Sequence, residues 1–293
     1  MLAVAGTVPR QDFPTLMGTV SLQGTDLHLA GRRVPVARGT PALLAAAVMT
    51  GEVLGQAAPT AFLAGDVGQG DGSRRLYEYL TRHLPQASFA AIAFHYLLPD
   101  VDWHNRVLFA VGEMSPRPLL IADAGFMYVA KMSGQAGEYD LFTPDAGELA
   151  FLADETAPHP FYTRGFILHE DNRVPDLIAR AYAHHNAAGY LLVKGTIDYL
   201  AGPQGILATV AQPHNEAMEA IGGTGDTLTG IVAALIAGGW QVDRAAMLAA
   251  RTNRLAGSLA HPTPATQVVE IINYIPQALE QLLKEAKMLA DSG

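Results

Sequence analysis

The chain contains no cysteine, which excludes disulfides, thiolate metal sites and a cysteine nucleophile from this sequence. Basic residues are also few, since 19 Lys and Arg against 28 Asp and Glu give a formal net charge of −9. Nucleic-acid-binding domains carry clustered Lys and Arg, so we expect no nucleic-acid partner. No apolar run reaches the ~20 residues that a helix needs to cross a bilayer, and we expect no membrane partner. The opening residues lack the basic region of a signal peptide, which predicts a cytoplasmic protein. The sequence leaves open whether it is a homo-oligomer.

What the sequence does have is a large apolar fraction, 49% of 293 residues, which is enough for a substantial core. Short apolar runs alternate with helical stretches, and this alternation predicts an α/β fold with a doubly wound, mostly parallel sheet. Near the C-terminal end, two strand-like runs flank Gly202-Pro203-Gln204-Gly205 and predict an antiparallel hairpin. We expect residues 1–37 to be an irregular segment packed on a single domain of residues 38–293; the alternative for this segment is a hairpin.

The segment Ile221-Gly222-Gly223-Thr224-Gly225-Asp226-Thr227 is rich in glycine and is followed by an apolar helical face. That face consists of Leu228, Ile231, Val232, Leu235 and Ile236. Glycine lets a ligand approach the main chain closely. A helix N-terminus adds unpaired N–H groups and the positive end of the helix dipole. We therefore expect Gly222, Gly223, Thr224 and Gly225 to bind a phosphate group.

Asp226 is the one acid of this loop. A carboxylate facing a phosphate weakens its binding, so Asp226 is better suited to face an attacking hydroxyl as the base in phosphoryl transfer. The alternative is that the Asp and Thr residues only cap the helix. No Lys follows the last glycine, which excludes a Walker A motif.

A second pair of acids, Asp145 and Glu148, follows a predicted strand and shares one face of a predicted helix. The two carboxylates could hold Mg²⁺ through water molecules. The alternative is that they cap the helix and interact with its dipole. By contrast, His169-Glu170-Asp171-Asn172-Arg173 lacks the second His of a zinc helix.

Lys194 follows the apolar strand of residues 190–193. A lysine at the end of a strand can meet a phosphate oxygen as a mobile positive charge. The alternative is a solvated residue at the edge of the sheet.

The glycine loop resembles the anion-hole loop of the ribokinase-like superfamily, and its longer form, residues 222–230, is most similar to the ADP/ATP-dependent NAD(P)H-hydrate dehydratases. This resemblance implies a three-layer α/β/α fold, ATP or ADP and Mg²⁺ as cofactors, and Asp226 as the catalytic base. It extends over residues 38–285 and is carried mainly by the segments after residue 139.

Three of those segments resemble nucleotide and metal positions of the family. Thr143–Glu148 is similar to Thr-Pro-His-Pro-Gly-Glu, with Asp145 in place of His. Lys194-Gly195 is similar to a Lys-Gly segment, and Asn215 to the Asn of an Asn-Pro-x-Met pattern. The resemblance implies Glu148 and Asp145 as metal ligands, and Lys194, Gly195 and Asn215 as nucleotide contacts.

The acceptor side resembles the family more weakly. Asp123 is similar to the second Asp of an Asp-Ala-Asp-Ala segment, and Gly39-Thr40 to an early Gly-Ser. Gly68 lies in residues 65–72, which resemble a Gly-Pro-Gly-Leu-Gly loop. The resemblance implies Gly39, Thr40, Gly68 and Asp123 as contacts to a small-molecule substrate.

Two enzymatic functions fit these features, because they share the transfer of a phosphoryl group to a hydroxyl. The first is repair of hydrated NAD(P)H by phosphorylation and elimination of phosphate. The second is a kinase for a small hydroxylated metabolite, such as a sugar or a vitamin precursor. A third interpretation, a nucleotide-binding protein without catalysis, is disfavoured because Asp226 is present.

Overall fold

A nine-stranded sheet is the centre of the protein in a computed structural model that describes residues 1–155 and 173–291. The strands are β1 (Leu2–Val8), β2 (Leu16–Thr19), β3 (Ser21–Gln23), β4 (Asp26–Leu29), β5 (Arg32–Pro35), β6 (Thr60–Gly65), β7 (Ala91–His95), β8 (Leu119–Asp123), β9 (Leu141–Phe142), β10 (Tyr190–Val193), β11 (Asp198–Gly202) and β12 (Gly205–Val210). The order in the large sheet is β12-β11-β10-β9-β8-β7-β1-β6-β2. Residues 169–172, where the sequence excluded a zinc helix, lie outside the described ranges.

Helices cover both faces of this sheet, which confirms the predicted three-layer α/β/α fold. They are α1 (Thr40–Val53), α2 (Asp71–His83), α3 (Val101–Gly112), α4 (Gly125–Met132), α5 (Ala146–Ala153), α6 (Val174–Ala183), α7 (Ala217–Ala220), α8 (Thr224–Ala237), α9 (Val242–Leu259), α10 (Val268–Ile272) and α11 (Ile275–Asp291). One apolar core packs α1, α8, α9 and α10 on the first face, and a second packs α2 to α6 on the other. Among the described helices, none is long and apolar enough to span a bilayer.

The parallel strands are buried on both sides, which explains their continuous apolar sequences. Every residue of β6 and β7 is buried, for example. The predicted hairpin is β11 and β12, which pair antiparallel at one edge of the sheet and join at Gly202 and Gly205. Its outer strand β12 has several exposed residues, as an edge strand with one solvated face should.

The N-terminal segment is not irregular, contrary to our expectation for residues 1–37. Strand β1 lies in the middle of the large sheet, parallel to both β6 and β7, and β2 pairs antiparallel with β6 at the edge. Strands β3, β4 and β5 form a separate antiparallel sheet. Periodicity could not identify β1, because a short Ala- and Gly-containing run buried on both faces shows no alternation and has weak strand propensity.

The chain crosses from one side of β1 to the other between β6 and β7. The sheet therefore has its topological switch point between β1 and β7, where Gly6 pairs with His95. In open α/β sheets, ligands bind beyond the carboxyl ends of the strands at such a point. The fold therefore predicts a site among the residues that follow β7, β8 and β10.

Helices α1 and α8 pack unusually closely over this region. A Cβ atom on Gly230 of α8 would lie 2.1 Å from the carbonyl oxygen of Leu43 in α1, closer than any real side chain permits. Glycine is therefore required at residue 230 by the separation of the two helices.

Gly230→Ala should lower the free energy of unfolding by about 1–3 kcal/mol, because the added methyl group must push α1 and α8 apart. Gly112→Ala in α3 is the matched control, since a Cβ there meets nothing within 4 Å. Denaturant titration of both variants would measure the difference. Equal stability of the two variants would contradict the close helix contact.

Candidate active site

The side chains that follow the parallel strands surround one cleft of about 480 Å³. Asp123 ends β8 and Lys194 directly follows β10, whereas His95, at the end of β7, is fully buried. Asp226 enters the cleft from the first turn of α8. Predicted site residues that line the cleft are Asp123, Asp145, Glu148, Lys194, Gly195, Asn215, Gly223, Thr224, Gly225 and Asp226. The structure therefore brings most of the predicted site together.

The glycine loop forms the N-terminus of α8 as predicted. Gly223 is the residue before the helix and has φ 102°, a left-handed conformation that favours glycine. Among the residues that the structure describes, no side chain caps this end of the helix, so Asp226 and its neighbouring Thr residues do not have the capping role considered above. The first N–H groups of α8 remain without an intrahelical partner and border the cleft.

Asp226 is held by two groups, one for each carboxylate oxygen. The N–H group of Gly39 donates to Oδ2 at 2.6 Å, and Nε2 of His95 lies 3.0 Å from Oδ1. Burial by itself raises the pKa of Asp226, but the hydrogen bond with His95, the charge of Lys194 and the Gly39 N–H group together lower it below its ordinary value. The carboxylate is therefore ionised and fixed in orientation.

Lys194 pairs with Asp123 inside the cleft. Its Nζ atom lies 2.9 Å from both carboxylate oxygens of Asp123, and the two side chains are 13% and 2% exposed. The hydroxyl of Thr229 donates to the same carboxylate at 2.6 Å. Burial lowers the pKa of Lys194, but the carboxylates of Asp123 and Glu148 outweigh burial and raise it. Lys194 is thus a buried cation, and the alternative of a solvated edge residue is wrong.

Asp145 and Glu148 form a capping box at the start of α5, which is the structural alternative considered from the sequence. Asp145 Oδ1 accepts from the Glu148 N–H group at 2.7 Å, and Glu148 Oε2 accepts from the Asp145 N–H group at 2.9 Å. Both residues also line the cleft. Burial raises the pKa of Glu148 to about 8. The positive charge of Lys194 opposes this shift, and the negative charge of Asp123 adds to it.

The four remaining predicted residues do not line the cleft themselves. Gly39 and Thr40 contact the site through Asp226 and His95. Gly222 and Gly68 are not among the residues that line the cleft. The loop at Gly68 is closed on itself, because Asp66 accepts from the N–H groups of Gly68, Gly70 and Ser73 at 2.9, 3.1 and 2.8 Å. Those donors are satisfied within the loop.

Two arrangements at the cleft were not predicted as functional from the sequence. Arg254 of α9 pairs with Asp198 at 2.7 Å and donates to the carbonyl oxygens of Gly195 and Thr196, which fixes the loop after Lys194. The second is the contact of His95 with Asp226, which joins residues far apart in the sequence. No local pattern marks Arg254, because it lies in the middle of an ordinary helix.

The backbone is strained where β7 and β8 enter the cleft. Tyr96 has φ 52° and Ala124 has φ 53°, although neither is glycine. Each residue directly follows a strand that ends in a site residue, His95 or Asp123. Strain of this kind persists only where the surrounding structure over-determines it, and it is common at functional sites.

Comparison with known proteins gives matches in sequence and in structure. A carbohydrate-kinase family model described as NAD(P)H-hydrate dehydratase matches residues 98–277, which is more than half of the chain. An uncharacterised protein of Methanocaldococcus jannaschii is 43% identical over 221 residues, covering 75% of this chain and 90% of that protein. A bifunctional NAD(P)H-hydrate repair enzyme of Moorella thermoacetica is 27% identical over 305 residues, and the match spans 100% of this chain but 51% of that enzyme.

Two solved structures share the fold at low identity. A ribokinase-like superfamily protein from Enterococcus faecalis superimposes with a TM-score of 0.59 at 17% identity, covering 96% of this chain and 86% of that one. An ADP/ATP-dependent NAD(P)H-hydrate dehydratase from Bacillus subtilis, co-crystallised with ATP and Mg²⁺, superimposes with a TM-score of 0.55 at 18% identity, covering 96% and 89%. These likenesses concern the ribokinase-like fold alone.

Proposed function

The chain belongs to the NAD(P)H-hydrate dehydratase family, and from this premise we propose that it repairs hydrated NAD(P)H in a reaction that consumes ADP or ATP. The observation that carries the proposal is the position of Asp226, an ionised carboxylate fixed at the N-terminus of α8 and open to the cleft. This position places the candidate base next to the uncapped N-terminus of α8, whose free N–H groups can bind a phosphoryl group.

The proposed reaction has two steps. In the first, the hydroxyl oxygen of the hydrate attacks the terminal phosphorus of the nucleotide, the hydroxyl proton passes to Asp226, and the P–O bond to the rest of the nucleotide breaks. In the second, phosphate leaves with the electron pair of its C–O bond, the adjacent ring carbon gives its proton to water, and the C–H electron pair forms the restored double bond. The N–H groups at the start of α8 and the ammonium group of Lys194 stabilise the charge of the transferred group.

The cleft residues fit the nucleotide phosphates and Mg²⁺. The side chain of Lys194 extends beside Gly225. A Cβ atom built on Gly225 would lie 3.5–3.7 Å from the last atoms of the Lys194 side chain. The capping box uses one oxygen of Asp145 and one of Glu148, which leaves the second oxygen of each available to a hydrated cation. A bound magnesium ion supplies positive charge that neutralises the phosphates.

Tyr96 offers the acceptor an aromatic surface in the cleft. Its side chain lines the cleft beside Asp226 and is 51% exposed, which is unusual for a large aromatic residue. Burial and the charges of Asp226 and Asp123 raise its pKa to about 12, so the ring stays neutral. A neutral exposed ring offers an apolar face against which the ring of the acceptor can pack.

The proposal is tested by incubating the purified protein with hydrated NADH, Mg²⁺ and either ADP or ATP while following the absorbance of NADH. Restoration of NADH that depends on the nucleotide is the expected result. Consumption of ATP with a sugar acceptor and no restored NADH would replace the repair function with a small-molecule kinase.

Gly225→Ala should weaken nucleotide binding without unfolding the protein. The added Cβ meets Lys194 only at ordinary contact distance, and Gly225 does not have the positive φ of Gly223. The methyl group nevertheless occupies the space through which a phosphate approaches the helix end. Calorimetric titration with ADP measures the loss, and Gly137→Ala, where a Cβ meets nothing within 4 Å, is the control. Unchanged ADP affinity would place the phosphates elsewhere.

A further inference from the structure

We infer that His95 is the residue that positions Asp226, holding its carboxylate in the orientation needed to accept a proton from the substrate hydroxyl. This inference rests on the proposed role of Asp226 as the base. His95 lies at the switch point of the sheet, and its side chain is completely buried. A buried imidazole is costly unless its two nitrogen atoms find partners, and here both do.

His95 and its two partners join three elements of the fold, β7, α1 and α8. Its Nδ1 atom lies 3.0 Å from Thr40 Oγ1 at the start of α1, and its Nε2 atom lies 3.0 Å from Asp226 Oδ1 in α8. Gly6 of β1 leaves room for this chain of contacts, because a Cβ there would lie 2.5 Å from Thr40 Oγ1. A larger residue at position 6 would separate Thr40 from His95.

The charge of Asp226 determines which nitrogen of His95 carries the proton. An ionised carboxylate can only accept hydrogen bonds, so Nε2 must be the donor. In the neutral ring, Nδ1 then accepts from the hydroxyl of Thr40. With Gly39 donating to the other oxygen, Asp226 has one fixed donor on each side. Each oxygen can still accept a second hydrogen bond, which leaves room for a substrate hydroxyl.

Rotation of this carboxylate would misplace the base. A displacement of about 1 Å in a catalytic group can lower the rate ~10²-fold. The effect of losing His95 should therefore fall on kcat, while the affinity for the nucleotide, which involves the helix end and Lys194, should be nearly unchanged.

Two amide substitutions separate the two contacts of His95. In His95→Gln, the amide nitrogen occupies nearly the place of Nε2 and can still donate to Asp226. In His95→Asn, the shorter amide is near the place of Nδ1, so it can reach Thr40 but not Asp226. We expect His95→Asn to lower kcat by about 10–100-fold and His95→Gln to retain most of it, with the KM for the nucleotide similar in both.

A purely structural role for His95 predicts a different result. Both variants would then lose stability, and their kcat values would fall together. Denaturant titration run alongside the kinetics distinguishes these outcomes, and equal kcat values for the Gln and Asn variants would overturn the inference.

A spectroscopic measurement tests the geometry even if the proposed reaction is wrong. Nitrogen NMR of the protein with labelled histidine should show His95 protonated at Nε2 in the wild type. In Asp226→Asn, the Gly39 N–H group must face the amide oxygen, so the amide NH₂ faces His95 and the ring must switch to the Nδ1–H tautomer. A tautomer that is the same in both proteins would show that His95 does not donate to Asp226.

The same side chains could instead bind a metal, since ligand atoms of His95, Asp123 and Asp226 lie within 4.8 Å of one another. Titration with Zn²⁺ separates the two cases. Stoichiometric Zn²⁺ binding by the wild type that both His95 variants abolish would assign the cluster to a metal and overturn the positioning role. Failure of the wild type to restore NADH, with the expected tautomer switch observed, would contradict the proposed function alone.

Discussion

Asp226→Asn should lower the turnover number ~10²–10⁴-fold, the range typical for loss of a general base. The amide keeps the size and shape of the carboxylate but cannot accept the proton of the substrate hydroxyl. This is the largest effect on catalysis expected from a single nearly isosteric substitution in the cleft.

The fold should tolerate this change, because the surrounding hydrogen bonds can be rearranged. The amide oxygen accepts from the Gly39 N–H group, and the amide nitrogen donates to His95, whose ring can change tautomer. We therefore expect a similar unfolding transition and unchanged or slightly tighter ADP binding, since a negative charge near the phosphates has been removed.

The measurements are initial rates of NADH restoration together with calorimetric titration of ADP. Asp243→Asn is the matched control, because Asp243 also lies in the first turn of a helix, α9, but away from the cleft. An Asp226→Asn enzyme that keeps a few tenths of the wild-type rate would exclude Asp226 as the base.

Lys194→Met should lower the free energy of unfolding by about 3 kcal/mol. Removing one partner of a buried ion pair costs about 3–5 kcal/mol, because the other charge is left in a medium of low polarity. We expect the lower end of that range, since Thr229 and the N–H group of Ala124 continue to donate to Asp123. The same variant should also bind ADP more weakly, because it lacks one of the cations that line the cleft.

The double variant Asp123→Asn, Lys194→Met separates loss of the charge pair from loss of packing. It should be more stable than Lys194→Met alone, because no unpaired buried charge remains. The control is Lys284→Met, which removes a lysine whose side chain is 74% exposed in a surface pair with Glu280 and should change stability by less than about 0.5 kcal/mol. Equal losses for Lys194→Met and Lys284→Met would show that the pair with Asp123 contributes little.

Features encoded over a few neighbouring residues could be predicted. The glycine loop, the helix that follows it and the hairpin at Gly202–Gly205 each depend on conformational preferences and periodicity within about one turn or strand. The pairing of Asp145 with Glu148 was also local, because residues three apart share a helix face, although the sequence did not distinguish the cap from a metal site.

Contacts between distant residues could not be predicted. His95 and Asp226 are separated by 131 positions, and nothing near either residue indicates the other. Lys194 gave two equal interpretations, and only its contact with Asp123, 71 positions away, showed that it is a buried cation. The central position of β1 likewise depends on which strands lie beside it, which a short apolar run does not encode.

The sequence by itself therefore determined the α/β class of the domain, the glycine loop at the start of α8 and the presence of one acid there. Only the tertiary structure decided which groups fix that acid. Backbone conformation and hydrophobic periodicity act between neighbours in the chain, whereas the orientation of the Asp226 carboxylate is set by α1 and β7, which approach α8 only once the sheet has formed and its helices have packed.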